Sequence, residues 1–235
     1  MKLEILQALN EERRARRAAV LVTDLADGAQ RLVKAADIPA DQLSDALDRQ
    51  LRMGKSASVD IDGKTYFFTV QAPPARLVVI GAVHVSQSLA EMARLVDFDV
   101  TIVDPRTAFA SEERFPNVRV IAEWPDKALP EIGLDAYTGI VALTHDPKID
   151  DPALKLALSA NCFYIGALGS KKTHARRVER LTAAGFSTAQ IDRIHAPVGL
   201  DIGAVSPAEI AVSVLAEIVL SLRKKPLRAE KEKAA

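Results

Sequence analysis

The stretch Leu77-Val78-Val79-Ile80-Gly81-Ala82-Val83-His84-Val85-Ser86-Gln87 decides the fold of this 235-residue chain, because an apolar run ends at a glycine and continues into a helix-forming segment. Such a strand-to-helix turn opens Rossmann-type folds, in which two further glycines let a pyrophosphate and the helix approach the backbone. Here only Gly81 is kept, and Val83 and Ser86 stand at the other two positions. The branched side chain of Val83 disfavours a bound dinucleotide, whereas the helix amides that begin at His84 can still attract an anion. Gly81 and His84 are therefore the first candidate binding residues.

After this first strand, apolar runs alternate with helical segments, which is typical of a parallel sheet covered by helices on both faces. The strands are predicted at residues 76–82, 99–103, 117–121, 138–144 and 162–166, and the helices at 84–96, 152–160, 173–184 and from Ser206-Pro207-Ala208-Glu209 onward. Thr173 is the predicted N-cap of the third helix, and Ser206 with Glu209 can form a capping box for the last. We predict an α/β fold with a Rossmann-like parallel sheet.

The residues before the first parallel strand follow a different pattern. Asp-Gly pairs at 27–28 and 62–63 each lie between two apolar runs, which predicts two β-hairpins. Pro39 is predicted to open a helix that carries a leucine stripe and ends at Gly54. A helix is also predicted over residues 3–17, whose charged end is predicted to be solvated. These elements indicate a small α+β domain.

The domain boundary is predicted at Ala72-Pro73-Pro74-Ala75, because consecutive prolines interrupt both helices and strands. The predicted organisation is a small N-terminal α+β domain at 1–72, a Rossmann-like domain at 76–224 and a flexible charged tail at 225–235.

The composition excludes several classes of protein. Lysine plus arginine equals aspartate plus glutamate at 31 each, so no charge excess draws the chain onto nucleic acid or a membrane surface. The single cysteine, Cys162, predicts a reducing compartment, and the lack of a long apolar run predicts a cytoplasmic protein. Neither a nucleophile elbow nor a metal-binding spacing occurs, which favours a binding protein over an enzyme.

Polar residues follow the second strand, 23 positions after Gly81. Asp104 stands where a carboxylate accepts hydrogen bonds from ribose hydroxyls in Rossmann folds, and Arg106 can clamp a phosphate or carboxylate. The alternative interpretation is an aspartate that caps a turn before a proline.

Two further loops end strands at the same predicted edge of the sheet. In the first, Thr144 and Asp146 are candidate ligand contacts, and His145 between them is more typical of a turn. In the second, Gly166, Gly169, Ser170 and Lys171 precede a helix, so their amides, hydroxyl and ammonium group can meet a phosphate. A glycine turn with exposed lysines is the alternative interpretation of the second loop.

Residues 193–204 are too apolar for a solvated loop and show little helical character. They form either the floor of a cleft, with His195 or Asp201 facing a ligand, or a covering segment that buries its aliphatic side chains.

Three segments together resemble the C-terminal Rossmann domain of the XdhC/CoxI family. They are residues 79–85, residues 164–173, and residues 196–204 followed by 206–211. The first segment departs from the family's usual Gly-Ala-Gly-His-Val-Gly at Val83 and Ser86. Residues 1–75 also lack the cysteine usual in the family's N-terminal domain.

The resemblance implies a chaperone that binds molybdenum cofactor (molybdopterin), assists its sulfuration with a cysteine desulfurase, and hands it to a xanthine dehydrogenase or CO dehydrogenase type hydroxylase. It also implies a homodimer. Gly166, Gly169, Ser170 and Lys171 would hold the phosphate of the cofactor, and Asp104, Arg106 and Asp146 would line the same crevice.

Two other hypotheses remain open on the sequence. The chain could be an NAD(P)-dependent oxidoreductase, which Val83 disfavours, or an interaction module that presents a surface to the hydroxylase without binding a ligand.

Overall fold

The computed structural model describes residues 2–224, which form two compact units, residues 2–73 and residues 74–224. The predicted flexible tail at 225–235 lies outside the described residues.

The first unit has two helices and an antiparallel sheet, so the prediction of an α+β fold is confirmed. Its strands follow the order β2-β1-β4-β3, and both predicted hairpins are present. The elements are α1 (Leu3–Arg14), β1 (Ala19–Asp24), β2 (Gln30–Lys34), α2 (Ser44–Met53), β3 (Ala57–Ile61) and β4 (Lys64–Gln71).

Two local predictions for this unit were wrong. The charged end of α1 is not wholly solvated, since Glu12 is buried and forms ion pairs with Arg17 and Lys34, which hold the pKa of its carboxyl below the ordinary value. Pro39 lies in a short 3₁₀ turn, and α2 begins only at Ser44.

The second unit is built on a six-stranded, fully parallel sheet, which confirms the predicted Rossmann-like fold. Its strands are β5 (Arg76–Ile80), β6 (Asp99–Val103), β7 (Arg119–Ile121), β8 (Thr138–Ala142), β9 (Tyr164–Ala167) and β10 (Ile194–His195). Their order is β10-β9-β8-β5-β6-β7, the Rossmann order. The order reverses between β5 and β8, and open sheets of this type bind ligands at the carboxyl ends of the strands beside such a reversal.

Helices cover both faces of this sheet. The helices are α3 (His84–Leu95), α4 (Pro125–Ile132), α5 (Pro147–Ser159), α6 (Lys171–Ala183), α7 (Thr188–Ile191) and α8 (Pro207–Lys224). Residues of α3 and α8 pack with Leu77 and Val79 on one face, whereas those of α4 to α7 pack with Val78 and Ile80 on the other. Alternate residues of β5 thus face opposite layers, which explains why the whole strand is apolar.

Helix boundaries differ from the predictions where polar side chains cap the helices. Helix α5 starts at Pro147, five residues before the predicted start, because the Asp146 side chain accepts a hydrogen bond from the Lys148 amide. Helix α6 starts at Lys171, because Ser170, and not Thr173, is its N-cap. Helix α4 was not predicted.

The apolar segment 193–204 packs against α8 through Gly199. The Gly199 amide donates to Glu217 of α8 at 2.9 Å, and Val198 is buried in the core. A Cβ on Gly199 would lie 2.3 Å from the Ser213 hydroxyl oxygen. This part of the segment therefore covers the α8 side of the sheet, in agreement with the covering interpretation.

Gly199→Ala is expected to lower the free energy of unfolding by about 3 kcal/mol, since strain from a positive φ adds to overpacking. Gly185→Ala is the matched control, because Gly185 has φ +92° against +93° for Gly199 and no atom lies within 4 Å of the position that its Cβ would take. Urea unfolding of both variants measures the difference in the free energy of unfolding. Equal losses of stability in the two variants would show that overpacking against Ser213 contributes nothing to the effect.

Candidate functional site

Four loops meet at the carboxyl edge of the parallel sheet. They follow β5, β6, β8 and β9, and consist of residues 81–83, 104–106, 143–146 and 168–170. The loops after β5 and β8 flank the reversal in strand order, so they define the point at which a Rossmann fold holds its ligand.

The loops after β5 and β8 touch at Gly81. This glycine has φ +109°, and a Cβ on it would lie 2.7 Å from the Thr144 methyl group. Ser86 replaces one of the usual glycines of the Rossmann pattern. Its buried hydroxyl finds a partner inside the protein, because it donates to the Gly81 carbonyl at 2.5 Å. Gly81 thus serves the close approach of two loops.

Asp104 fastens the loop after β5 to the loop after β6. Its side chain is fully buried and accepts hydrogen bonds from the Ala82 amide at 2.8 Å and from the Arg106 amide at 2.9 Å. The Arg106 guanidinium donates to both carboxylate oxygens, at 2.9 and 2.7 Å. Burial raises the pKa of Asp104, but these hydrogen bonds outweigh burial and leave the pKa below its ordinary value. Asp104 is therefore an ionised residue that positions the loops, with its oxygens already bonded to protein groups.

Arg106 remains partly exposed while it holds Asp104. Its side chain is 38% exposed and its guanidinium carbon lies 4.8 Å from the centre of the Phe109 ring. The charges of Asp146 and Asp150 add to that of Asp104 in raising the pKa of Arg106. The guanidinium accordingly offers a permanent positive charge to the edge of the crevice.

Thr144 and Asp146 are committed to the start of α5. The Thr144 hydroxyl donates to Asp150 at 2.7 Å and accepts from the Asp146 amide at 3.0 Å. The Asp146 side chain is occupied as the N-cap of the helix. His145 between them has φ +63°, which agrees with its interpretation as a turn residue.

The loop after β9 presents polar groups on the surface at the start of α6. Ser170 and Lys171 are exposed, and Gly169 has φ +134° with Thr173 packed against it. Gly166 differs from the expectation of a phosphate-facing glycine, because it is a buried strand residue whose missing Cβ makes room for Tyr164 and Val198. The lack of a side chain at Gly166 thus serves packing.

The remaining predicted residues lie on the surface or in a hydrogen-bonded cluster. His84 is the exposed first residue of α3, and Asp201 is exposed. His195 lies 2.9 Å through Nδ1 from Glu217, to which the Tyr164 hydroxyl also donates at 2.5 Å. Burial raises the pKa of the Cys162 thiol to about 12, in keeping with a packing role.

Sequence reasoning missed a charged pocket between α5 and α6. Asp150 and Arg177 lie at it, each only 2% exposed, with Arg180 and Asp151 paired beside them. Asp150 falls in the first turn of α5, ahead of the predicted helix start, and Arg177 was one of many charged residues in a helix. The available signal in the sequence was a charged residue at a helix position that the apolar stripe would normally occupy.

Among residues 2–224, no cluster of three or more histidine, cysteine, aspartate or glutamate side chains is suited to hold a metal ion. In the same part of the chain, every helix is too short or too polar to cross a bilayer.

The parallel sheet, its reversal and the loops at its carboxyl edge define a Rossmann-type α/β protein. The XdhC Rossmann domain family matches residues 77–218, which is 142 of 235 residues, and the chain belongs to this family. The predicted resemblance is thereby confirmed.

Relatives of known name match somewhat less than two thirds of the chain. The chain is 35% identical over 148 residues to a Bacillus subtilis protein named as a probable xanthine dehydrogenase subunit, covering 63% of this chain and 43% of that protein. It is 32% identical over 146 residues to the Escherichia coli molybdenum cofactor insertion chaperone PaoD, covering 62% and 40%. The chain thus matches less than half the length of these relatives. A crystal structure of a Bacillus halodurans protein, described as a xanthine dehydrogenase, shares the fold with a TM-score of 0.67 at 23% identity, covering 94% and 67%.

Proposed function

We propose that this protein is an accessory chaperone that binds molybdenum cofactor and assists its maturation or insertion into a xanthine dehydrogenase or CO dehydrogenase type hydroxylase. Membership of the XdhC family and the name of the relative PaoD support this function. The observation that carries the site is the exposed Lys171 beside Ser170, the exposed N-cap of α6. A helix start with positive charge beside it suits an anionic group of the cofactor.

The rest of the carboxyl edge can add donor groups to the cargo site. The charge of Arg106 is balanced by Asp104, which holds the partly exposed guanidinium in place, and Gly81 allows the two central loops to meet closely. We assign Asp104 to positioning and Ser170, Lys171 and Arg106 to contact with the cargo. An NAD(P)-dependent oxidoreductase has less support, because the Asp104 carboxylate that would accept ribose hydroxyls is buried and bonded to Ala82 and Arg106.

Lys171→Ala is expected to weaken cofactor binding about tenfold, the effect of losing one charge-assisted hydrogen bond. The measurement is anaerobic binding of purified cofactor to the full chain, followed by filtration and cofactor absorbance. Lys155→Ala, on the exposed side of α5, is the control and should bind as the unmodified protein does. Equal affinity of the two variants would remove Lys171 from the site, and a lack of binding by the unmodified chain would refute cargo binding.

The proposal includes the partners that the family resemblance implies. We expect a homodimer that acts in the cytoplasm, receives sulfur for the cofactor from a cysteine desulfurase, and contacts the hydroxylase directly. Light scattering measures the mass in solution. Copurification with a cofactor-free hydroxylase, in the presence and absence of cofactor, separates a cargo carrier from a ligand-free interaction module. A cargo carrier should release its cofactor and increase the activity of the hydroxylase, whereas an interaction module should bind the hydroxylase without this increase.

A further inference from the structure

A pocket of about 190 Å³ lies between the start of α5 and the first turns of α6. His145 and Thr173 lie at its exposed side together with Arg176, and the buried side chains of Asp150 and Arg177 lie deeper. The pocket therefore begins one helical turn from Ser170 and Lys171, at the same edge of the sheet.

The deep side chains of this pocket have unused hydrogen-bonding atoms. Arg177 donates from Nη2 to the Leu168 carbonyl at 2.9 Å, but its Nε and Nη1 are buried without a partner. Asp150 accepts from Thr144 at Oδ1, whereas its Oδ2 is buried without a partner. Within residues 2–224 only four buried side-chain atoms lack a partner, and three of them belong to this pair. Unpaired buried polar atoms are costly, so their concentration at one pocket points to an occupant.

The charges around the pocket favour an anion. Arg180 is matched by Asp151, with contacts of 2.5 and 3.0 Å, and the larger counter-charge of Arg177 is Asp150. Three arginines against two aspartates leave one positive charge in excess. Burial lowers the pKa of Arg177 and raises that of Asp150, which shows that both charges lack solvation. A bound anion would supply Arg177 with the acceptors and the opposite charge that water supplies to an exposed guanidinium.

The size and the atoms of the pocket restrict the anion further. A water molecule takes about 30 Å³ of liquid, so the pocket holds more than one water. Nε and Nη1 of a guanidinium form a fork that matches two oxygens of a phosphate or carboxylate. The Oδ2 atom of Asp150 requires a proton between it and the anion. A singly protonated phosphate supplies both oxygens and a P–OH group, whereas sulfate carries no proton at neutral pH.

We propose that this pocket binds a phosphate group, with Nε and Nη1 of Arg177 donating to two of its oxygens and Oδ2 of Asp150 accepting from its P–OH group. The inference rests on the proposed function only for the source of the phosphate, which would then be the phosphate monoester of the cofactor. Free inorganic phosphate has the same recognition chemistry.

The test compares the binding of inorganic phosphate, glycerol phosphate and sulfate to the full chain by calorimetry at about pH 6, where roughly half of a phosphate monoester carries the P–OH proton and sulfate carries none. The unmodified protein should bind phosphate at least tenfold more tightly than sulfate. Arg177→Lys, which keeps the charge and loses the fork, should weaken phosphate binding about tenfold. Asp150→Asn should reduce the preference over sulfate, because its amide can donate to either anion. Arg94→Met, at an exposed arginine of α3, is the control and should change neither affinity.

Equal affinity for sulfate and phosphate, or full affinity in a folded Arg177→Lys variant, would overturn the assignment of the pocket. Tighter binding of glycerol phosphate than of inorganic phosphate would indicate a phosphate monoester as the natural occupant, and the reverse order would indicate free phosphate. Cofactor binding without phosphate binding would leave the proposed function intact and reject the pocket. Phosphate binding without cofactor binding would support the pocket and reject the proposed cargo.

Discussion

Asp104→Ala is expected to lower the free energy of unfolding of the Rossmann unit by about 3 kcal/mol, because it removes a buried charge from a hydrogen-bonded pair. The variant leaves the buried Ala82 amide without its acceptor and Arg106 without its partner. It also frees the loop after β5 from the loop after β6. Cofactor binding should therefore fall together with stability.

Urea unfolding followed by tryptophan fluorescence measures this effect in the relevant unit, because the single tryptophan, Trp124, lies within it. Asp99→Ala, at the start of β6, is the control. Asp99 is 66% exposed and lies 3.9 Å from Arg76, so its loss should change stability by less than about 0.5 kcal/mol. Similar losses in the two variants would contradict the positioning role of Asp104.

The pKa of Asp104 also gives a pH dependence. The pKa of the Asp104 carboxyl is 3.8 in the unfolded chain and lower in the folded protein. Its ionised form therefore stabilises the fold above pH 3.8, and this stabilisation is lost as the pH falls through the pKa of the folded protein. The stability of the unmodified chain should therefore fall more steeply below pH 3.8 than that of Asp104→Asn. Parallel curves would show that Asp104 is not preferentially ionised in the folded protein.

Glu217→Ala is expected to lower the free energy of unfolding by about 3 kcal/mol. The reason is that this one carboxylate of α8 contacts a residue of β9, a residue of β10 and the segment that follows β10. The Tyr164 hydroxyl and the Gly199 amide both donate to Oε2, and Nδ1 of His195 lies 2.9 Å from Oε1. Alanine leaves the buried Tyr164 hydroxyl unpaired and removes one of the contacts that hold segment 193–204 on α8, another being the Leu200 amide on the Ser213 carbonyl.

The same fluorescence assay measures the loss. Glu91→Ala, at an exposed position of α3, is the control and should stay within about 0.5 kcal/mol of the unmodified protein. Glu217→Gln should be intermediate, because its amide keeps one oxygen acceptor but loses the charge. If Glu217→Ala were as stable as Glu91→Ala, the cluster would contribute nothing to the fold.

The sheet was predictable because its signals are local. Strand β5 is a continuous apolar run that ends at a glycine, and this pattern depends on burial on both faces. Helix α4 was not predictable in this way, because Pro130 lies inside its eight residues and proline usually interrupts the interior of a helix. The start of α5 was missed because Pro152 lies inside this helix, whereas proline is usual only in the first turn; the Asp146 cap followed by Pro147 was the available signal.

The candidate site was only partly predictable. Asp104, Arg106, Ser170 and Lys171 follow parallel strands, and the ends of such strands must share one edge, so their neighbourhood follows from the order of elements. Their individual roles depend on where each side chain turns. Asp104 turns inward to Ala82 and Arg106, whereas Lys171 remains exposed.

The sequence by itself determined five of the six parallel strands, the two hairpins of the first unit and the loops that carry the polar residues, because periodicity and turn chemistry act over a few neighbouring residues. Only the tertiary structure decided that Asp150 and Arg177, 27 positions apart, face one pocket, and that Glu217 joins Tyr164, His195 and Gly199. Such pairings arise from the packing of distant helices against the sheet, and no local pattern of residues encodes which buried charge meets which.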